Sequence, residues 1–164
     1  MTQAEKKVQW CLNKAEKEGK KHKGLRKVVS SEAEVQKHLS KAQRNLKLTD
    51  DLIRMKYSDW AVSAVFYSMY HCLLAILWRN GYESRNQACT FAAIEKLIIE
   101  KKIPITLDEL QQIQESKSDH EETVVDLREF YQYGTETEVE QAKIMQLQQE
   151  AKEFVAKIRA FLQE

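Results

Sequence analysis

The residue types that most often carry out chemistry are sparse in this chain and widely spaced. The three cysteines, Cys11, Cys72 and Cys89, are odd in number, and no Cys-x-x-Cys pair occurs. We therefore expect neither a disulfide framework nor a zinc site. The sequence also lacks the Gly-x-Gly-x-x-Gly pattern of dinucleotide sites and the phosphate-binding P-loop. It predicts no metal and no cofactor.

Arginine and tyrosine side chains remain as candidates for contact with a phosphate or a base. Arg128 stands beside the aromatic residues Phe130, Tyr131 and Tyr133, and Arg85 precedes a predicted helix start. An arginine can clamp a phosphate with two hydrogen bonds, and aromatic rings can stack on bases. The competing interpretations are a surface charge for Arg85 and packing in the core or at a dimer seam for the aromatic residues.

The four histidines differ in their surroundings. His71 lies in a Tyr-x-x-Tyr-His sequence within an apolar segment, which favours a core or dimer-interface position over a catalytic or nucleotide-contacting one. His22 and His38 are predicted to lie on the surface. His120 precedes Arg128 by eight residues, which is about 12 Å along a helix axis. That distance is too long for both side chains to hold one phosphate within one subunit.

Charge is balanced overall but unevenly distributed. The formal net charge is +1, whereas residues 14–27 carry seven basic and two acidic side chains, and residues 106–140 carry two basic and eleven acidic ones. Both segments are typical of solvated surface. The functional alternative is a basic patch for phosphates and an acidic face for a basic partner.

Composition favours an all-α fold. The 164 residues include one Pro and four Gly, too few for the many turns of a β-sandwich, and strong helix formers dominate. We predict an antiparallel bundle of about five to six helices with a buried central helix. The helical segments are predicted near Ala4–Glu18, Ser31–Lys56, Ser58–Asn80, Asn86–Lys101, Thr106–Tyr131 (in two pieces) and from Thr135 and Glu138 onward, with a basic loop after the first.

The central segment, Trp60 to Trp78, contains 19 residues without a charged side chain, which is long enough to cross a membrane. Its polar residues and a stripe of small residues favour a buried core helix instead. Its aromatic residues, including Tyr67 and Tyr70, are predicted to be core, with base stacking as the alternative. No signal peptide is visible, so we expect a cytoplasmic protein with no membrane partner.

Four separated segments, in order, resemble the HEPN family of helical-bundle proteins. The most specific is YSDWAVSAVFYSMYHCLLAILWRNGYESRNQACT at residues 57–90, preceded by KAQRNLKLTDDL and followed by LREFYQYGTET and AKEFVAKIRAFL. The resemblance covers roughly residues 33–162. We therefore divide the chain into an N-terminal helix and basic loop, residues 1–30, and a HEPN-like bundle, residues 31–164.

The resemblance implies a homodimer, often encoded beside a minimal nucleotidyltransferase in a toxin–antitoxin module. Active members are metal-independent ribonucleases whose signature is an Arg followed, four to six residues later, by His. Arg128 matches the Arg, but Tyr133 stands where His is expected. Some relatives also carry a His before a Cys-Thr pair, where this chain has Gln87, with Arg85 nearby.

The change from His to Tyr removes a ready base. Imidazole titrates near pH 6.5 and phenol near pH 10, so only about one phenol in a thousand is ionised at pH 7. General base catalysis contributes about 10²–10⁴-fold to rate.

Three hypotheses follow. The first is a catalytically degenerate HEPN module that binds a nucleotide, RNA or a nucleotidyltransferase partner, with Arg128 and Tyr133 marking the groove and Arg85, His71 and Gln87 contacting the ligand. The second is a ribonuclease toxin in which Arg128 acts with a substitute base, which would be Tyr133, His71 or His120. The third is a structural interaction protein whose acidic segment docks a basic partner.

Overall fold

The computed structural model describes residues 1–115 and 122–164, and it confirms the predicted all-α class. The described residues form seven α-helices, a short 3₁₀ turn at Gly19–Lys21 and a small two-stranded sheet. The elements are α1 Gln3–Glu18, β1 Leu25–Lys27, α2 Glu32–Arg54, α3 Ser58–Arg79, β2 Tyr82–Ser84, α4 Gln87–Ile99, α5 Leu107–Ile113, α6 Val124–Tyr133 and α7 Gln141–Leu162.

The chain divides into two compact units. Unit 1 contains Met1–His38 and Leu73–Leu110, and unit 2 contains Leu39–Cys72 and Gln111–Glu164. Helices α2 and α3 therefore each contribute residues to both units. The predicted division of the chain after residue 30 stays a prediction.

Unit 1 is organised around α1. Thr2 and Glu5 form a reciprocal capping box that fixes the start of this helix. Its buried residues recur every three or four positions and pack against α4 and β1. Cys11 on this face forms a disulfide with Cys89 of α4, with the Cα atoms 5.9 Å apart. The expectation of no disulfide was therefore wrong, because the 78-residue separation hides the pair from any local spacing rule.

The segment predicted as a basic loop contains β1, which pairs antiparallel with β2 so that Arg26 lies opposite Glu83. Two glycines make this pairing possible. Gly81 has φ +83°, a conformation that other residues adopt only with strain. A side chain at Gly24 would lie 2.6 Å from the carbonyl oxygen of Cys11, so only glycine lets the strand approach α1.

Helix α3 buries the stripe of small residues that the sequence predicted. It is the helix of the described residues that is long and apolar enough to cross a membrane, and 78% of its most apolar window is buried within the protein. This burial supports the prediction of a core helix. The buried members of the stripe are Ala61, Ala64, Ser68, Cys72 and Ala75.

Unit 2 contains α6 and α7. The apolar residues of α7 recur every three or four positions, and Ile144, Leu147 and Ile158 among them are buried. This helix begins at Gln141, later than the predicted start near Thr135 and Glu138. The residues directly before it lie outside any helix or strand, and the backbone N–H of Val139 donates to Ser58 Oγ over 2.9 Å.

Candidate functional site

Arg128 is the predicted site residue with the most unusual environment. It lies in α6, whose start is fixed by a capping box between Thr123 and Asp126. Only 7% of the Arg128 surface is exposed. Fully charged side chains are rarely buried unless their charge is compensated. This position must therefore supply the guanidinium with compensating contacts.

Those contacts come from aromatic rings of α3 and from α6 itself. The guanidinium carbon of Arg128 lies 4.5 Å from the ring centre of Phe66 and 5.8 Å from that of Tyr67. Its Nη1 donates to Tyr67 Oη over 3.5 Å and to Gln132 Oε1 over 3.3 Å. A cation over ring faces is stabilised by their quadrupoles, most strongly where water is excluded. Arg128 is thus a fixed and largely desolvated cation in unit 2.

A group of rings on α3 continues from this contact. Phe66 stacks on Tyr70 with ring centres 5.4 Å apart, and Tyr70 meets His71 edge to face at 6.5 Å. His71 is half-buried and lies one helical turn after Tyr67. The structure therefore brings Arg128 together with Tyr67 and places His71 on the same side of α3 as Tyr67.

The aromatic residues were predicted to be core, and this was wrong for several of them. Trp60 is 56% exposed and Tyr67 38% exposed. On α6, Phe130 is 56% exposed and Tyr133 75% exposed. An apolar helix offers no sequence contrast that separates its outward face from its inward one, because α3 carries no charged residue between Trp60 and Trp78. A role for Tyr133 and Phe130 at a dimer seam stays a prediction.

Tyr133 occupies the position where the family signature has His, at the solvent-exposed end of α6. Its neighbour Tyr131 is half-buried, and burial, together with the charges of Glu122 and Glu136, raises the pKa of Tyr131. A raised phenol pKa means that even less of this side chain is in the phenolate form, which is the form that could act as a base at neutral pH. The described part of α6 therefore offers an arginine and phenols, but no imidazole.

Arg85 and Gln87 lie in unit 1. Arg85 is exposed and lies between β2 and α4, where its Nη1 donates to the Lys20 carbonyl over 2.8 Å and its Nη2 lies 3.2 Å from Glu83 Oε1. Gln87 is the first residue of α4 and is half-buried. The side chain of the preceding Asn86 caps that helix by accepting from Cys89 N. Arg85 is thus held by contacts within unit 1.

Unit 1 also contains an ionic cluster around Glu83 that the sequence did not predict. His22, predicted to lie on the surface, is only 1% exposed. Its Nε2 lies 3.0 Å from Glu83 Oε1, and its Nδ1 accepts from the Gly24 N–H over 3.3 Å. Because Nδ1 accepts, the ring proton lies on Nε2 and is donated to Glu83. Arg26 Nη2 also lies 3.2 Å from the same oxygen of Glu83.

The Glu83 carboxylate therefore receives His22, Arg26 and Arg85 together. Burial alone would raise its pKa, but the hydrogen bond from His22 and the charges of the two arginines outweigh that effect and lower the pKa of Glu83. His22 and Glu83 are 61 residues apart, so no local pattern joins them.

The two remaining histidines are His38 and His120. His38 is half-buried and is therefore less exposed than the predicted surface position. Burial lowers the pKa of His38, and the charge of Glu34 opposes that shift. His120 lies outside the described residues. Within residues 1–115 and 122–164, no group of three His, Cys, Asp or Glu side chains is arranged to hold a metal ion.

Comparisons with known proteins bear on most of the chain. The family model of the HEPN domain matches residues 35–164. A protein of Methanocaldococcus jannaschii named "Putative toxin MJ0142" is 36% identical over 44 residues. That match covers 27% of this chain and 30% of the relative, so less than a third of the relative's length is aligned. Because the family model spans well over half of the chain, including α3, α6 and α7, this protein belongs to the HEPN domain family.

Proposed function

We propose that this chain is a HEPN module that binds RNA or a nucleotide without cleaving it and acts with a nucleotidyltransferase-type partner in a toxin–antitoxin module. The observation that carries the proposal is the environment of Arg128. The guanidinium is buried against Phe66 and Tyr67, while the signature position for the base holds the exposed phenol of Tyr133. The site therefore keeps the positive charge of Arg128, but it has a phenol where the family signature has the histidine base.

The exposed rings of α3 supply a surface for bases. Trp60 and Tyr67 are seven residues apart, which places them on one face of the helix, and both are more than a third exposed. Stacking on such rings contributes about 1–3 kcal/mol per base. The guanidinium carbon of Arg128 lies 5.8 Å from the ring centre of Tyr67, so Arg128 adds positive potential to that face. The relative named as a toxin supports the same biological setting.

The test is incubation of the purified protein with end-labelled RNA in the presence of a chelator, alongside binding measured by fluorescence anisotropy. We expect intact RNA with every variant. Trp60→Ala is expected to weaken binding by about 5- to 100-fold through lost stacking, whereas the matched control Leu48→Ala, another exposed apolar residue, leaves it unchanged. RNA cleavage by the parent that disappears in Arg128→Ala would overturn the non-cleaving proposal.

A second candidate is a ribonuclease toxin, and the position of His71 favours it. Arg128 contacts Tyr67, and His71 lies one turn farther along the same face of α3, so an imidazole and a guanidinium flank one tyrosine. This function predicts growth arrest on expression that both His71→Ala and Arg128→Lys relieve. Arrest by the parent that persists in His71→Ala, with equal protein levels, would exclude His71 as the substitute base.

A further inference from the structure

The outward face of α1 combines an exposed indole with a group of lysines that the proposed Arg128 site does not use. Trp10 is 51% exposed. Lys6, Lys7, Lys14 and Lys17 lie three, four or seven positions from it, and the repeat of a helix places all five side chains within an arc of about 100°. These five residues form the Lys–Trp face.

The acidic residues of α1 are kept off this face. Glu5 and Glu16 lie more than about 100° around the helix axis from Trp10. Glu18 lies at the edge of the face, where its carboxylate pairs with Lys14 Nζ over 3.2 Å. Charges of alternating sign along a face are typical of a helix that is merely solvated. The four lysines and Glu18 instead leave this face with a net charge of +3.

The packing of unit 1 fixes this face toward solvent. The other side of α1 is buried against α4 and β1, and Cys11 on that side is joined to Cys89 of α4 by the disulfide. Helix α1 therefore cannot turn to bury the Lys–Trp face without breaking that packing. The helix also lies before residue 35, where the match to the HEPN family model begins. The face is thus a feature of this chain that the family model does not cover.

The lysines hold positive charge close to the indole ring. Lys7 Nζ lies 4.0 Å from the ring centre of Trp10, and Lys14 Nζ lies 5.9 Å from it. The ion pairs in the described part of the chain include none with Lys6, Lys7 or Lys17. Three of the four ammonium groups therefore remain available to an anion that approaches the exposed half of the ring.

A single strand of RNA matches both properties of the face. It presents phosphates beside unstacked bases, and proteins bind such strands through cations that follow the backbone and aromatic rings that stack on the bases. A duplex hides its base faces. An anionic membrane is a poorer match, because a helix that lies on a membrane needs a broad apolar face, and apolar residues of α1 such as Val8 and Cys11 are already buried.

We propose that the Lys–Trp face binds single-stranded RNA, with a base stacked on Trp10 and phosphates held by Lys6 and Lys17. This contact rests on the proposed RNA-binding function and extends it to unit 1, whereas Trp60 and Arg128 lie in unit 2. The two contacts use different residues, so each can be removed without the other.

The measurement is fluorescence anisotropy of end-labelled oligouridine, a single strand without duplex structure, at several salt concentrations. Trp10→Ala should weaken binding by about 5- to 100-fold at every salt concentration, because it removes stacking but no charge. Lys6→Gln/Lys17→Gln should instead lower the slope of log affinity against log salt by about 1.4, since each phosphate contact on a single strand contributes about 0.7. Trp10→Phe keeps an aromatic ring and should bind nearly as tightly as the parent.

The control for general loss of charge is Lys41→Gln/Lys47→Gln, which removes two exposed lysines of α2 and should leave both affinity and slope unchanged. Trp60→Ala should weaken binding through the other contact, and it should weaken it further when combined with Trp10→Ala. Variants of α1 that bind as the parent does, while Trp60→Ala binds more weakly, would overturn the Lys–Trp contact and leave the proposed function intact. The reverse pattern would support the Lys–Trp contact and count against the Trp60 surface.

A membrane surface is tested by cosedimentation with vesicles of phosphatidylcholine and phosphatidylserine. We expect no more vesicle binding by the parent than by Trp10→Ala. Vesicle binding that Trp10→Ala abolishes, with RNA binding unchanged in the α1 variants, would assign the face to a membrane and overturn the proposal. Parent protein that binds no oligouridine at low salt would overturn both this contact and the RNA binding proposed for the Arg128 site.

Discussion

The guanidinium carbon of Arg128 lies 4.5 Å from the ring centre of Phe66, with only 7% of the arginine surface exposed. This relationship joins α6 to α3 within unit 2, and it explains why an arginine can be buried in a small helical protein. The ring face replaces part of the lost hydration, and Tyr67 and Gln132 accept hydrogen bonds. A residue tied to the fold in this way has a structural role as well as any role in binding.

The first prediction therefore concerns stability. Arg128→Ala should lower the free energy of unfolding by about 2–4 kcal/mol, because it removes a desolvated cation–ring contact and leaves a cavity. Arg128→Lys should fall between this variant and the parent, since it keeps the charge but loses the planar stacking. Urea denaturation is the measurement.

The matched control is Arg54→Ala. Arg54 is exposed and pairs with Asp51 within α2, so its loss should change stability by less than about 0.5 kcal/mol. Equal effects of the Arg128 and Arg54 substitutions would contradict the buried environment of Arg128.

The second prediction concerns the Cys11–Cys89 disulfide. Its reduction by dithiothreitol should lower the free energy of unfolding by about 2–4 kcal/mol, because the crosslink restricts the unfolded chain over a 78-residue separation. The measurement is urea denaturation of oxidised and reduced protein. Cys11→Ala should be as unstable as the reduced parent and should not respond to the reductant.

Thiol counting gives an independent check of the same pair. The chain has three cysteines, of which Cys72 is free, so the unfolded oxidised protein should show one reactive thiol and the reduced protein three. Three thiols in protein that was never reduced would show that the disulfide does not form under those conditions.

The predicted features that the structure confirms are those encoded within one element. The small residues of α3 recur at three and four positions and are buried together, and α7 buries its stripe at Ile144 and Leu147 for the same reason. A helix repeats every 3.6 residues, so a local pattern is sufficient to identify its inward face. The all-α class followed from the same local information.

The features that escaped prediction depend on distant residues. Cys11 pairs with Cys89, and His22 pairs with Glu83, across 78 and 61 positions. The predicted helix start near Thr135 and Glu138 was also too early. The backbone of Val139 is instead held by Ser58, 81 residues away, and α7 begins only after it. Tertiary contacts override local propensity at such positions.

The third prediction concerns the reactivity of Cys72. This thiol is fully buried, and burial raises its pKa to about 12, with the Arg159 charge opposing the shift. Because the thiolate is the nucleophile, Cys72 should resist alkylation by iodoacetamide at pH 8 in the folded oxidised protein. In urea it should react completely, with mass spectrometry as the measurement. Rapid stoichiometric labelling of the folded protein would contradict its burial.

The last prediction concerns the pH dependence of unit 1. The pKa of Glu83 is lowered in the folded protein, so its ionised form stabilises the fold above the ordinary carboxylate pKa, near 4.5. That stability is lost as the pH falls through the lower folded value. Glu83→Gln should therefore cost about 1–3 kcal/mol at pH 7, because His22, Arg26 and Arg85 lose their shared acceptor charge.

The difference between Glu83→Gln and the parent should shrink as the pH falls below the ordinary carboxylate pKa, near 4.5, and through the lower pKa that Glu83 has in the folded protein, because the parent carboxylate then becomes protonated. Thermal unfolding at several pH values measures this difference. The control is Glu138→Gln, an exposed residue whose substitution should change stability by less than about 0.5 kcal/mol at any of these pH values. A Glu83→Gln deficit that stays constant as the pH falls from 7 until the parent itself unfolds would show that geometry, rather than the carboxylate charge that faces Arg26 and Arg85, accounts for the stabilisation.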